Sequence, residues 1–227
     1  MVDEDDTLLI LYYQTSQMRK TFKKFPEILF VDGTYNVNKL GMPLYCLMVE
    51  DGFGHGRNVF YAATAQEDAT HLQKIVQLFK EKNELWESVS VIVIDKDFTE
   101  YKVLKEEFPN AIILYCQWHV IKALFKCLSD YDVNKGDRDE CRQLIRSLVF
   151  SSSQSEYERW RQELFDSTNK DFREAFVNNW DSCKSMWVTF ERDEAIHFAN
   201  TTNNRLESHD QKLKDVTSRS SSLSEMF

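Results

Sequence analysis

Two runs of apolar residues in this chain each stop at an aspartate. Ile28-Leu29-Phe30-Val31 leads into Asp32, and Val89-Ser90-Val91-Ile92-Val93-Ile94 leads into Asp95. The second run is close to continuously apolar, the pattern of a strand buried on both faces, as in a parallel sheet. Acids at strand ends can converge where an open α/β sheet forms its sites, in the crevice beyond those ends. A third acid, Glu207, lies far downstream in TTNNRLESHDQKLK, a segment that reads as a helix.

The order of the remaining elements narrows the fold. Asp5 to Phe22 reads as a helix on the spacing of Leu8, Leu9, Tyr12, Tyr13 and Met18, closed off by Pro26. Strands are expected at Ile28–Asp32, Leu44–Glu50 and Val59–Ala65. Gly33, Gly41-Met42-Pro43 and Asp51-Gly52-Phe53-Gly54 separate them, so they form an antiparallel meander. Asp68 is an N-cap for a helix from Ala69 to Lys82, with Leu72, Ile75, Val76 and Phe79 on one face. Then follow the Val89–Ile94 strand, a helix from Phe98 to Phe108, a strand from Ala111 to Tyr115, and a helix from Gln117 carrying Val120, Ile121, Leu124 and Phe125.

The order β-β-β-α-β-α-β-α is that of a ribonuclease-H-like α/β core with a mixed five-stranded sheet. Strand signals then vanish. Cys141–Phe150, Gln154–Phe165 and Asp171–Trp180 show helical apolar spacing, punctuated by Ser151-Ser152-Ser153 and Asp166-Ser167-Thr168-Asn169. The expected organisation is a helical lead-in at 1–24, a ribonuclease-H-like core at 25–134 and an all-helical insertion at 135–199. A final core helix carries Glu207 at 200–215, and a serine-rich tail spans 216–227. Both ends read as cut from a longer protein.

Composition bounds the partners. The formal net charge is −9, a poor endowment for gripping a phosphate backbone without further segments. The five cysteines show no paired CxxC spacing, which suits a reducing compartment. MVDEDDTLLILYYQ lacks the basic start of a signal peptide, and no apolar run approaches membrane-span length. The expectation is a nuclear or cytosolic chain with no membrane partner.

Two carboxylates at strand ends and one on a late helix suit two divalent cations, Mg²⁺ or Mn²⁺, which take hard oxygen ligands. Asp32 is the bridging candidate, with Asp95 and Glu207 completing the set. Each has a blander reading. Asp often follows a strand as a turn or cap residue, Asp97 competes with Asp95 for the roles of cap and ligand, and Glu207 alone is an ordinary helix carboxylate. Cys116 and His119 have CxxH spacing, but a zinc site needs two more ligands and no second pair stands at that spacing. Gly52-Phe53-Gly54-His55-Gly56 reads as a hairpin turn. Arg19, Lys20, Lys23 and Lys24 read equally as a solvated helix face or a backbone contact.

The motifs themselves resemble a family. DGTYNVNKLGMPLY, VIVIDKDFTEYKVLKEEFPNAIILYCQWHVIK and TTNNRLES resemble three ordered blocks of Mutator-like element transposases and their domesticated relatives. Those relatives include the far-red-impaired response regulators and the SWIM-type zinc-finger proteins, the latter being closer. The resemblance covers Phe25 to Lys214. It implies that Asp32, Asp95 and Glu207 are the Asp-Asp-Glu triad and metal ligands, and that Cys116 and His119 support the active site. It places Glu67 at the family's acidic pair after the third strand. Gly33 and Ile94 depart from the family's threonines beside the two aspartates. Two function classes follow from the resemblance. One is a two-metal DNA cleavage or strand-transfer domain, aided by segments outside this stretch. The other is a domesticated, non-catalytic nuclear scaffold that binds DNA or protein. A homodimer is compatible with either.

Overall fold

The computed structural model describes residues 1–2, 8–34, 38–131, 133 and 138–192. The chain divides into two compact units. One holds the sequence through Ile113, and the other begins at Leu114.

The first unit opens on a strand, β1 (Ile10–Tyr13), where a helix is expected from Asp5. It pairs antiparallel with a later strand, from Ile10 opposite Thr64 to Tyr13 opposite Tyr61. The contiguous run Leu8 to Tyr13 fits either period. An open sheet edge decides it, because pairing satisfies the backbone while burying Ile10 completely. The helix begins later, as α1 (Ser16–Lys24). Thr15 sets that start by accepting the Met18 amide at 3.1 Å.

The meander then forms as expected: β2 (Ile28–Thr34), β3 (Leu44–Glu50) and β4 (Gly56–Thr64), each antiparallel to the next. The β3–β4 turn is organised by Asp51. Its Oδ1 accepts the amides of Phe53 at 3.0 Å and His55 at 2.9 Å, and its Oδ2 takes Arg57 Nε at 2.8 Å. Gly54, at φ 77°, supplies the left-handed residue the turn requires.

Helix α2 (Ala69–Lys82) starts where Asp68 accepts the His71 amide at 2.9 Å. Next come β5 (Val91–Ile94), α3 (Phe98–Glu107) and β6 (Ile112–Tyr115). All four residues of β5 are buried, as its unbroken apolar run requires. It lies parallel to β2. The sheet order is β1-β4-β3-β2-β5-β6, a mixed α/β sheet of six strands. The sixth strand beyond the five expected is β1, added at the edge of the meander.

The second unit contains α4 (Gln117–Asp130), α5 (Arg138–Val149), α6 (Gln154–Asp166) and α7 (Lys170–Asn179), followed by two 3-10 turns at Asp181–Met186 and Thr189–Arg192. Its core is aromatic. Trp187 is fully buried among Tyr157, Phe176 and Trp180, and its indole N–H donates to the Trp180 carbonyl at 3.1 Å. Gln117, buried at the start of α4, donates from Nε2 to the Trp187 carbonyl at 2.9 Å and the Thr189 hydroxyl at 3.0 Å. These bonds tie the first and last described parts of the unit together. Among the described residues no helix is long and apolar enough to cross a membrane.

Candidate metal centre

Phe30 pairs with Val93 across the parallel β2–β5 ladder. Extending that register by two residues on each strand sets Asp32 level with Asp95. Asp32 lies within the last half of β2 and Asp95 directly after β5, towards the carboxyl ends of adjacent strands, where open α/β sheets form their sites. Both are half-buried. The Thr34 hydroxyl, two residues on and therefore on the same face, donates to Asp32 Oδ2 at 3.1 Å.

Asp97 takes the role of cap. Its Oδ1 accepts the Glu100 amide at 2.8 Å and starts α3, while its own amide donates to the Asp95 carbonyl at 2.8 Å. The tight turn holds Asp95 directly after β5 and spends Asp97 on the helix end.

Glu100 is the residue that the sequence reading passes over. It is 8% exposed, and it shares the buried face of α3 with Val103 and Leu104. Its Oε2 has no hydrogen-bond partner among the described residues. Oε1 lies near the backbone of Gly33, so that a Cβ there would stand 3.7 Å from it. Burial, and after it the charges of Asp97, Asp95, Asp32 and Glu67, push the Glu100 carboxyl up to about 8. The four charged groups acting on it are thus all acids. One signal was present in the sequence: Glu100 stands at the i position of an i, i+3, i+4 stripe with Val103 and Leu104.

Two more residues close round this cluster. Tyr45 lies opposite Gly33 in the β2–β3 ladder. Burial raises its hydroxyl well above the usual phenol range, and Glu100, Asp97 and Asp68 add to the rise. Glu67 is exposed just beyond β4, and its carboxyl is raised by partial burial and by Asp97. It therefore sits within the field of the cluster. Asp68 is occupied by its cap bond and by His71 Nδ1 at 2.9 Å.

Cys116 and His119 belong to the second unit. Cys116 is buried at the N-cap position of α4, where its side chain makes no capping bond. His119 is half-buried one turn in, edge-on to Trp118 with ring centroids 4.5 Å apart. Arg192 is buried in the same unit. Burial lowers its guanidinium to about 10, and the charge of Cys116 opposes that fall. Glu207 lies outside the described residues.

The first unit's donor set fits a hard divalent cation. Asp32 and Asp95 both offer carboxylate oxygens, the donors such an ion takes. Mg²⁺ and Mn²⁺ both suit oxygen ligands of this kind.

The model for the zinc finger SWIM domain-containing protein 1/3, RNaseH-like domain, matches residues 1–114. The chain belongs to this family. The match ends inside β6, so it spans the whole six-stranded sheet up to its last strand and includes Asp32, Asp95 and Glu100. The ribonuclease-H-like fold expected from the order of elements is the fold this SWIM-protein domain has.

Proposed function

We propose that this SWIM-protein ribonuclease-H-like domain descends from a Mutator-like transposase and that Asp32 and Asp95 hold divalent cations for Asp-Asp-Glu phosphodiester chemistry on DNA. The observation that carries the reading is the parallel β2–β5 pairing, which runs to Phe30 opposite Val93, two residues short of each aspartate. Glu207 supplies the third ligand in the resembling family.

When bound, the cations activate an attacking water or 3′-hydroxyl and stabilise the leaving oxygen of the phosphodiester. The chain's own residues prepare that arrangement. The Thr34 hydroxyl donates to one oxygen of Asp32 and so helps to orient its carboxylate. The α3 cap aligns Asp95 by holding its carbonyl to the Asp97 amide. Cys116 and His119 would support the site, as in the resembling family. DNA is the proposed substrate and the nucleus the proposed compartment, with protein partners or a second copy of the chain helping to engage it.

A second reading, a non-catalytic nuclear scaffold, rests on the net charge of −9, which opposes a phosphate backbone. Titration calorimetry with Mn²⁺ on the 227-residue chain and on Asp32→Asn and Glu207→Gln, followed by strand-cleavage assays on duplex DNA, separates the two. Binding and Mn²⁺-dependent cleavage lost in both variants support the first reading. Binding without cleavage supports the scaffold. No binding by the wild-type chain overturns the metal centre.

A further inference from the structure

We propose that α1 and the segment closing α2 form a basic pocket that grips the phosphate backbone of DNA, apart from Asp32 and Asp95. DNA as the partner rests on the reading above, while the grip itself needs neither a metal ion nor cleavage.

Four observations carry it. The first is the charge of α1. Ser16–Lys24 holds Arg19, Lys20, Lys23 and Lys24 and no acid, in a chain whose net charge is −9. Arg19 with Lys23, and Lys20 with Lys24, stand four residues apart, a like-charge spacing that destabilises a helix. A bound anion relieves that repulsion. The second is shape. Arg19, Phe22 and Lys23 meet Lys82, Asn83 and Glu84 round a cavity of about 170 Å³, so three cations converge on a concave surface. The third is a fixed floor. Phe22 is buried edge-on to Phe79, with ring centroids 5.0 Å apart. Asn83 is buried too, and Gln14 Nε2 donates to its Oδ1 at 2.9 Å and to the Val59 carbonyl at 2.8 Å. The fourth is availability. Arg19, Lys23 and Lys82 are exposed, and none of them makes an ion pair among the described residues. Lys80, two residues before Lys82, is by contrast held to Glu107 at 2.7 Å. Arginine brings a planar fork of donors that suits phosphate oxygens.

The pocket also stands away from the acids. α1 ends at Lys24, shortly before β2 begins at Ile28, and Asn83 and Glu84 shortly precede β5. It therefore lies towards the amino ends of the two strands whose carboxyl ends carry Asp32 and Asp95.

The competing account is local. Lys23 and Lys82 sit in the last turns of their helices, where a cation complements the helix dipole. Arg19 has no such reason for its place, and Glu84 is an acid on the same wall. Anisotropy of a short labelled duplex, titrated with the 227-residue chain in chelator across a salt series, separates the accounts. Arg19→Gln should weaken binding and Glu84→Gln should tighten it, opposed shifts that a folding defect does not produce. Combining Arg19→Gln, Lys23→Gln and Lys82→Gln should weaken binding about tenfold or more at low salt. The slope of log affinity against log salt should flatten by about 0.9 for each cation removed.

Unchanged duplex affinity in the triple variant would overturn the proposal. So would an equal loss from Lys102→Gln, Lys126→Gln and Lys170→Gln combined, three exposed lysines elsewhere, because overall charge would then explain it. Competition by polyglutamate as effective as that of unlabelled duplex would overturn the choice of DNA. A wild-type chain that binds Mn²⁺ but no duplex in chelator overturns the pocket and leaves the metal centre standing. Duplex binding in chelator without Mn²⁺ binding upholds the pocket and removes the centre.

Discussion

Glu100 occupies the space beside Gly33. A Cβ at Gly33 would stand 3.7 Å from Glu100 Oε1 and 3.4 Å from Tyr45 Cε1, which is ordinary contact. Gly33→Ala should therefore fold, and should gain about 0.5 kcal/mol from removing a glycine inside a strand. Gly33→Thr, which restores the residue usual in the resembling transposases, adds atoms that must displace Tyr45 or Glu100, at about 1–3 kcal/mol. Urea denaturation midpoints for the two variants check the contrast.

The pH dependence of the metal-free chain follows from the same carboxyl. Burial, and then the charges of Asp97, Asp95, Asp32 and Glu67, hold Glu100 at about 8 in the folded chain, against 4.5 as the ordinary value. Between those values the folded state binds more protons than the unfolded state, so stability falls as pH rises through the window and levels off above it. Melting in chelator from pH 4.5 to pH 9 should show this decline. Glu100→Gln should flatten it and be roughly 2–5 kcal/mol more stable than wild type at the alkaline end.

Asp97 is assigned to the helix end, and that role can be read apart from its charge. Asp97→Asn and Asp97→Ala both remove the carboxylate, but only asparagine keeps an oxygen for the Glu100 amide. The alanine variant should be about 1 kcal/mol less stable than the asparagine variant, measured by thermal or urea unfolding at one pH.

The β3–β4 turn gives an acid limb of opposite sign. Burial pushes Asp51 upward, but the His55 amide, the Arg57 guanidinium and the Phe53 amide outweigh it and hold the carboxyl at about 2, below its ordinary 3.8. Its stabilisation is complete above 3.8 and is lost as pH falls through about 2. Asp51→Ala should cost about 1–3 kcal/mol at neutral pH and reduce the steepness of acid unfolding followed by circular dichroism.

The places of the two aspartates in the fold were legible because single elements carried them. Val91 to Ile94 carries the unbroken apolar pattern of a strand buried on both faces, and Asp95 follows directly at its end. The meander likewise placed Asp32, and Asp68 marked the start of α2 from its own position in the chain. What stayed hidden depended on partners distant in sequence. Leu8 to Tyr13 suits a helix or a strand until the free edge of β4 is known. Glu100 looks like an ordinary first-turn acid of a helix until Gly33 and Tyr45, from two other strands, enclose it. Asp95 and Asp97 are two residues apart, and only the amide bonds of the α3 turn show which of them caps.

The bonds from Gln117 to Trp187 and Thr189 have a consequence for biosynthesis. They join residues 70 and 72 positions apart, and such a closure carries an entropic cost that grows with the length of the enclosed chain. The amide of Gln117 emerges from the ribosome long before its acceptors. At translation speeds of about 5–20 residues per second, it waits several seconds for them. During that interval the strands of the first unit have already been made, while α4 cannot yet be locked at its amino end. On the ribosome, the amino end of α4 therefore gains these two bonds only after Thr189 has been made.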